Sequence, residues 1–577
     1  MSSRRFVLVL AAVVCLLSTL IGLSTAPHQA DAAANPALAK NAHGKMDNGK
    51  FLPHASGGTE VTFAEERAEA ADQSSGSSDA PPDGTATALG CANRGSATNV
   101  RVNQDCTSRR QAEEQIAVNG NDPTNVVAGQ NDSRIGFNHC GFDYSLDSAH
   151  TWGDGLPGFF QHLNPGTGHT YDAASDPAVT VAGDGTAWFS CVLFDVASNA
   201  AGLMVIPSTP ALKGSAYANV SSGPSKYVVA EADDGHQLFD KEFIAADPRP
   251  GHHEVYVTFT RFISDQKCAK GNNPGAYCSS EIWFAKWNGT AWSAPVNLSG
   301  SSPLCVGGNA LDRKAAANAC NFDQGSMPVV NPADGSVFVT WNNTNTPTLV
   351  AQTLGRRIAP DGTLGPVVRV GLDDESNINV CDAGAGPDQC VRQIAVRTHD
   401  FPAVAVDRAH PNHLVAVWQD TRRSAPGVGD YGVVVSDSQD GGATWSDASG
   451  GGSYLFGGAG TAYFEPSVAV TGQSGVAVSF YRANPHAGSD GLGTYGYGLQ
   501  FRPPAGSFSP YTPVSDGQSY PSPQLNPDQA GFLGDYSSIA ASPAVNSTTV
   551  YACWADTRNV GARGPEQDVF VRAMSLT

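Results

Sequence analysis

The sequence predicts an all-β propeller of four-stranded antiparallel blades, seven in number with six as the alternative. Three observations predict it. A two-strand unit recurs along the chain, glycine and proline are abundant at 63 and 37 residues, and an eight-residue hairpin motif appears at the same place in more than one unit. Internal repetition at this scale marks repeat architectures, and many short strands need many tight turns.

The unit is a short strand rich in Ala, Val and Ser, a turn, and a second strand that carries an aromatic. Its first copies are Ile116–Val118 with Val126–Ala128, Pro177–Val181 with Ala187–Phe189, Phe243–Ala246 with Val255–Phe259, and Pro328–Val330 with Val337–Trp341. Pro402–Val406 with Val415–Trp418, Pro466–Val470 with Val476–Phe480, and Ser538–Ala541 with Val550–Trp554 complete the series. Small side chains suit innermost strands crowded around an axis, and aromatics suit the seams between blades. Six blades result if the first or last unit is an accessory hairpin. The last unit runs out after Asp568–Arg572, whereas Asn99–Asn103 alternates like a strand and has no partner nearby. The two are expected to pair and close the ring, since an open ring leaves sheet edges exposed.

Ahead of the repeats, Arg4 and Arg5 precede an apolar run from Phe6 to Leu23, and Ala30-Asp31-Ala32 follows. That order reads as a secretory signal peptide over residues 1–32, so the mature protein is expected outside the cell. Residues 33–90, with Asp72–Ser78 and Pro81-Pro82, lack a hydrophobic period and read as a disordered linker; 91–577 is the propeller. Of 12 cysteines one, Cys15, lies in the signal. Cys268/Cys278, Cys305/Cys320 and Cys381/Cys390 read as local pairs, Cys91/Cys106 and Cys140/Cys191 as further ones, and Cys553 as the odd, buried thiol.

A formal charge of −20 excludes nucleic acid and anionic membrane surfaces as partners. The expected partner is an extracellular glycan or glycoprotein, met by a monomer with no membrane span. His252-His253-Glu254 lacks the spacing of a zinc site and reads as a solvated turn. No cofactor is expected, with structural calcium on loop carboxylates left open.

Ser438-Gln439-Asp440-Gly441-Gly442-Ala443-Thr444-Trp445 is a full S-x-D-x-G-x-T-W motif, the Asp box. Ser145–Trp152 matches it with Ala149 in place of Gly, and Asn288–Trp292 keeps only the Gly and the Trp. Asp accepts hydrogen bonds from turn amides, Gly allows positive φ and Trp packs between blades. By these motifs the chain resembles the sialidase and Asp-box propeller superfamily over about residues 98–577. The resemblance implies that the box secures the turn between third and fourth strands, and that the active site lies on the opposite face.

That face gathers second-to-third-strand corners with Arg134, Arg261, Arg422, Arg482 and Arg558. Starts of first strands there carry Glu242, Asp323, Asp400, Glu465, Asp535 and Tyr536. Arginine grips a carboxylate bidentately, although repeated Asp/Arg pairs also serve to tie blades together. Glu465–Val468 leading to Arg482, and Tyr536-Ser537-Ser538-Ile539, look like family segments. The resemblance implies Tyr536 as nucleophile, Glu465 as its base, and Arg482 and Arg558 as grips on a sialoside carboxylate, with Arg422 and Arg261 as further substrate-binding candidates. The family's Phe/Tyr-Arg-Ile-Pro motif is missing. Arg110 is the candidate replacement for its arginine, and Asp132 the candidate acid/base or a loop cap. Three readings stay open: an exo-acting sialidase, a non-catalytic propeller that binds glycans or proteins, and a hydrolase of another polysaccharide using carboxylates such as Glu242 and Asp400.

Overall fold

The computed structural model describes residues 95–577 apart from loop segments, among them 264–277, 307–314, 485–492 and 520–531. It also describes a two-residue hairpin, Met46–Asp47 with Lys50–Phe51, inside the stretch read as a linker. The signal segment, Cys91 and Cys106 lie outside the described residues.

Seven four-stranded antiparallel sheets follow one another along the chain, which decides the blade count. Blade 1 comprises Gln111–Val118, Val126–Asp132, His139–Ser145 and Gly153–Gly155; blade 2, Ala173–Val181, Ala187–Phe194, Ala201–Ser208 and Val228–Ala232. Blade 3 comprises Gln237–Ala246, Val255–Ile263, Ser279–Trp287 and Val296–Asn297; blade 4, Asp323–Val330, Val337–Asn343, Val350–Ile358 and Leu364–Asp374. Blade 5 comprises Ala403–Val406, Leu414–Asp420, Gly432–Ser438 and Ser453–Leu455; blade 6, Ala462–Val470, Val476–Ala483, Tyr495–Arg502 and Thr512–Pro513. Blade 7 has Ser538–Ala541, Thr549–Gly561 and Gly564–Ser575, and its fourth strand is Val100–Arg101 from the other end of the chain. Val100 pairs with Val571 and Arg101 with Phe570, so the ring closes as the alternating pattern of 99–103 predicts. Asn379–Asp382, Pro387–Val391 and Val396–Arg397 form a three-stranded sheet between blades 4 and 5.

First strands touch one another in blade order and blade 7 touches blade 1, which places them around a common axis. Ala117, Val181, Ala245, Val329, Ala405, Ala469 and Ala540, one from each blade, line an axial cavity of about 240 Å³. Their small side chains are what the crowding permits. The hydrophobic core lies in seams rather than at one centre. Trp188 packs between blades 2 and 3, Trp341 between 3 and 4, Trp418 between 4 and 5, and Trp554 between 6 and 7. Each second-strand aromatic therefore buries its area against a neighbouring blade, which locks the order of blades around the ring.

The two S-x-D turns have the same hydrogen bonds. Ser438 Oγ donates to Asp440 Oδ1 (2.9 Å), and Asp440 accepts from the Thr444 amide (2.9 Å) and hydroxyl (2.6 Å). Ser145, Asp147 and Thr151 repeat this at 2.8, 2.9 and 2.7 Å. Both turns join third and fourth strands, and Trp445 packs on Phe338 of the preceding blade at 5.4 Å between ring centroids. Cys140–Cys191 ties blade 1 to blade 2, and Cys305–Cys320 closes a loop before blade 4. Cys278 and Cys390 are also disulfide-bonded, with the side chains of their partners outside the described residues. Cys553 is free and buried.

Candidate functional site at the propeller axis

On the face away from the S-x-D turns, five first strands begin with the same irregularity. The ladder to the second strand slips by a bulge between Ala112 and Gln115, Ser175 and Ala178, Asp240 and Phe243, Gln324 and Met327, and Phe464 and Ser467. The first residue of each bulge is left-handed: Glu113 (φ 55°), Asp176 (61°), Lys241 (50°), Gly325 (64°) and Glu465 (48°). A non-glycine residue there costs about 1–2 kcal/mol. Only blade 4 uses glycine, where a Cβ would collide with the Phe401 ring. Phe401 and Tyr536 occupy the equivalent sequence position in blades 5 and 7.

Lys241 is the hub of this ring. Its Nζ lies 3.4 Å from Glu113 Oε1 and 3.1 Å from Asp535 Oδ2, with all three side chains at 0% exposure. The same ammonium sits over the rings of Tyr536 (4.4 Å) and Phe401 (5.1 Å), and its backbone amide donates to Asp176 Oδ2 (3.1 Å). Arg397, from the three-stranded sheet, donates to Asp535 Oδ1 at 2.5 Å. Burial pulls Lys241 toward the neutral form, but Asp535 and Glu113 outweigh it and hold the ammonium protonated.

Around this ion network lie acids that it does not neutralise. Neither carboxyl oxygen of Glu114, Glu242 or Glu465 makes a hydrogen bond of standard geometry, and all three side chains are buried. Burial is the main cause that pushes each of them well above the ordinary carboxylate range. The Tyr536 phenol is likewise held neutral by burial and by Glu113, Asp176 and Glu242. Its hydroxyl donates to the Pro177 carbonyl at 3.4 Å. The Glu465 backbone is fixed from both sides, its amide donating to Gln419 Oε1 (2.7 Å) and its carbonyl accepting from Ser537 Oγ (2.7 Å).

Among the residues singled out in the sequence, Tyr536, Glu465, Glu242 and Asp535 belong to the axial group. The corner arginines do not join it. Arg422 Nε donates to Asp420 Oδ2 (2.6 Å) and its Nη1 to Asp447 Oδ1 (3.0 Å). Arg558 Nε donates to Asp556 Oδ2 (2.8 Å), and the guanidinium also meets Asp516. Arg134 and Asp132 make the same contact at 2.7 Å. Asp-x-Arg is thus one corner clamp used three times, and Asp132 is the acceptor within it. Arg261 Nε donates to Gln237 Oε1 (2.9 Å) and lies over Trp283; Arg482 lies over Tyr511, and Arg110 over Phe532. Asp400 sits with Asp373 and Glu375, and Asp323 accepts from Trp341 Nε1 (3.0 Å) and Asn343 Nδ2 (2.6 Å).

Sequence reasoning missed Glu113, Glu114, Asp176, Lys241 and Arg397. A signal for three of them was present. Aligned on their first strands, the repeats place Glu113, Asp176, Lys241, Gly325, Phe401, Glu465 and Tyr536 in one column. Arg397 arrives from an insertion between repeats and has no counterpart to align with.

No protein-family model and no curated protein sequence matches this chain. Among solved structures, a Hadza microbial sialidase, Hz136, is similar at 13% identity and a TM-score of 0.39, over 70% of this chain and 66% of that one. The Penicillium chrysogenum alpha-L-arabinanase complexed with arabinobiose is similar at 12% identity and a TM-score of 0.39, over 69% of this chain and 92% of that one. Trypanosoma rangeli sialidase in complex with 2,3-difluorosialic acid is similar at 12% identity and a TM-score of 0.32, over 80% of this chain and 54% of its own length. The chain thus spans just under two thirds of the first protein and about half of the last. These are distant likenesses of architecture and nothing finer.

Proposed function

We propose that this chain is an exported, glycan-directed propeller whose working site is the axial acid group, with glycoside chemistry on a neutral sugar. The observation that carries the reading is the column of left-handed residues. Glycine would remove the strain, yet Glu113, Asp176, Lys241 and Glu465 hold ionisable side chains there. Strain retained to aim such groups at one point is a mark of a site.

The chemistry follows from protonation. Glycoside cleavage needs one carboxylic acid to protonate the leaving oxygen and a second group to act as base or nucleophile. Glu242 and Glu465, whose carboxyl groups burial pushes toward the protonated form, are suited to the first role. Asp176, beside the Lys241 amide, is the candidate for the second. Neutral sugars are favoured because Arg134, Arg422 and Arg558 are committed to aspartates of their own corners. An anionic sugar would also approach a group in which acids outnumber cations.

A second reading keeps Tyr536 as a nucleophile on a sialoside. It is favoured by one observation, the closeness of the phenol to Glu242 and Glu113. Release of 4-methylumbelliferone from a panel of neutral glycosides and from the sialoside separates the two. The expected result is cleavage of a neutral glycoside, lost in Glu465→Gln or Glu242→Gln. Sialoside cleavage that disappears in Tyr536→Phe would overturn it for the second reading. Binding on a glycan array with no cleavage of any member would make this a non-catalytic lectin-like propeller.

A further inference from the structure

The seam between blades 4 and 5 holds a second acid group, apart from the contacts of the Lys241 network. Asp373 is the last residue but one of the fourth strand of blade 4, Glu375 directly follows that strand, and Asp400 precedes the first strand of blade 5. One carboxylate oxygen from each lies within 4.8 Å of the other two. Asp373 and Asp400 are buried, and Glu375 is half-buried.

Each buried aspartate is held through one oxygen by an amide hydrogen bond of standard geometry. Asn342 Nδ2 donates to Asp373 Oδ2 (2.7 Å), and Gln389 Nε2 donates to Asp400 Oδ2 (2.9 Å). Asp373 Oδ1 and Asp400 Oδ1 are buried and make no hydrogen bond of standard geometry. A separate residue repeats the pattern. The Tyr431 hydroxyl is fully buried, makes no hydrogen bond of standard geometry and lies in the field of all three carboxylates. A buried polar atom without a partner needs an ordered water or an ion to satisfy it. The nearby guanidinium of Arg422 is already engaged by Asp420 and Asp447. The other acid group of this kind among the described residues differs on that point, because in Asp247–His252–Glu254 the first carboxylate is clamped by Arg249.

We propose that Asp373, Glu375 and Asp400 bind one Ca²⁺ ion, which pins the three-stranded sheet onto the seam between blades 4 and 5. The donors are all oxygen, which selects a hard cation. Ligand number separates the two common ones: three carboxylates supplied by the chain itself suit Ca²⁺, whereas Mg²⁺ keeps several of its waters and takes one or two carboxylates. Gln389 and Tyr431 bring the inserted sheet and blade 5 to the same point, so the ion would reinforce a seam at which the Thr421 amide already donates to the Asp374 carbonyl.

The test uses the full mature chain stripped with EGTA and titrated with CaCl₂ by calorimetry and thermal melting. One ion per chain should bind and raise Tm saturably. Asp373→Asn and Asp400→Asn should abolish the rise, and when stripped they should melt no lower than the stripped parent, since carboxylate repulsion is relieved. Glu375→Gln, at a half-buried turn, guards against a folding defect and should weaken Ca²⁺ binding by about ten-fold through loss of one charged ligand. No heat and no Tm shift in the parent would overturn the proposal. A shift of equal size in all three variants would overturn it as well.

Discussion

Lys241 Nζ stands 3.1 Å from Asp535 Oδ2 and 4.4 Å from the centre of the Tyr536 ring, so adjacent residues of one segment hold the ammonium by charge and by a π-face. Since Lys241 belongs to blade 3 and Asp535-Tyr536 leads into blade 7, this contact crosses the axis. Removing the cation would leave Glu113 buried without its ion-pair partner and Asp535 with Arg397 as its remaining counter-charge. Lys241→Met is therefore expected to cost about 3–5 kcal/mol, the usual penalty for orphaning a buried charge. Lys241→Met with Glu113→Gln should recover part of that loss. Urea unfolding of the single and double variants checks both expectations.

The corner clamps differ in what they neutralise, and so in what they are worth. Arg422 serves Asp420 and Asp447, both with side chains at 0% exposure. Arg558 serves Asp556 at 2% and Asp516 at 36%. An exposed carboxylate regains water when its partner leaves, whereas a buried one does not. Arg422→Gln should thus destabilise the fold more than Arg558→Gln. Midpoints of chemical denaturation, compared in one buffer, measure the difference.

These clamps also show what the sequence conceals. Asp420-Thr421-Arg422 and Asp556-Thr557-Arg558 are visible as repeated words, but an arginine that grips a ligand and one that grips its own aspartate look alike in one dimension. The blade plan was legible because each first strand must be small and each second strand must fill a seam. The closing strand at Val100–Arg101 was legible because it alternates without a local partner. Lys241 shares a column of the aligned repeats with Glu465 and Tyr536, but its direction was not legible, because a lysine before an apolar strand ordinarily points to solvent. Only the bulge, which requires the three-dimensional ladder, turns it to the axis.

Asp323 gives the fold a measurable pH dependence. Burial is the main cause that lifts its carboxyl from 3.8 to about 7, against hydrogen bonds from Asn343 and Trp341. The folded state therefore holds a proton that the unfolded chain releases, and stability falls as pH rises from about 4 to about 7. Above that window both states are ionised and the slope vanishes. Asp323→Asn retains an oxygen to accept from Trp341 and Asn343 but has no proton to lose. Its stability should vary less across the window, and at pH 8 it should exceed that of the parent. Thermal melts at a series of pH values, fitted for both proteins, give the slopes.

The two S-x-D turns predict opposite tolerances at one position. Gly442 has φ 92°, and a Cβ added there would run into the Phe338 ring, which is buried against Trp445. Ala149 occupies the corresponding place in blade 1 at φ 69° and packs into the seam with blade 7. Gly442→Ala should cost about 1–2 kcal/mol for the left-handed backbone, with about 1–3 kcal/mol more for overpacking. Because Phe338 must yield, the environment of Trp445 should change, giving an altered near-ultraviolet circular dichroism signal. Ala149→Gly instead trades relief of backbone strain against a lost methyl contact and should leave Tm nearly unchanged. A Gly442→Ala protein with parental Tm and an unchanged Trp445 signal would show that the seam between blades 4 and 5 is looser than its packing implies.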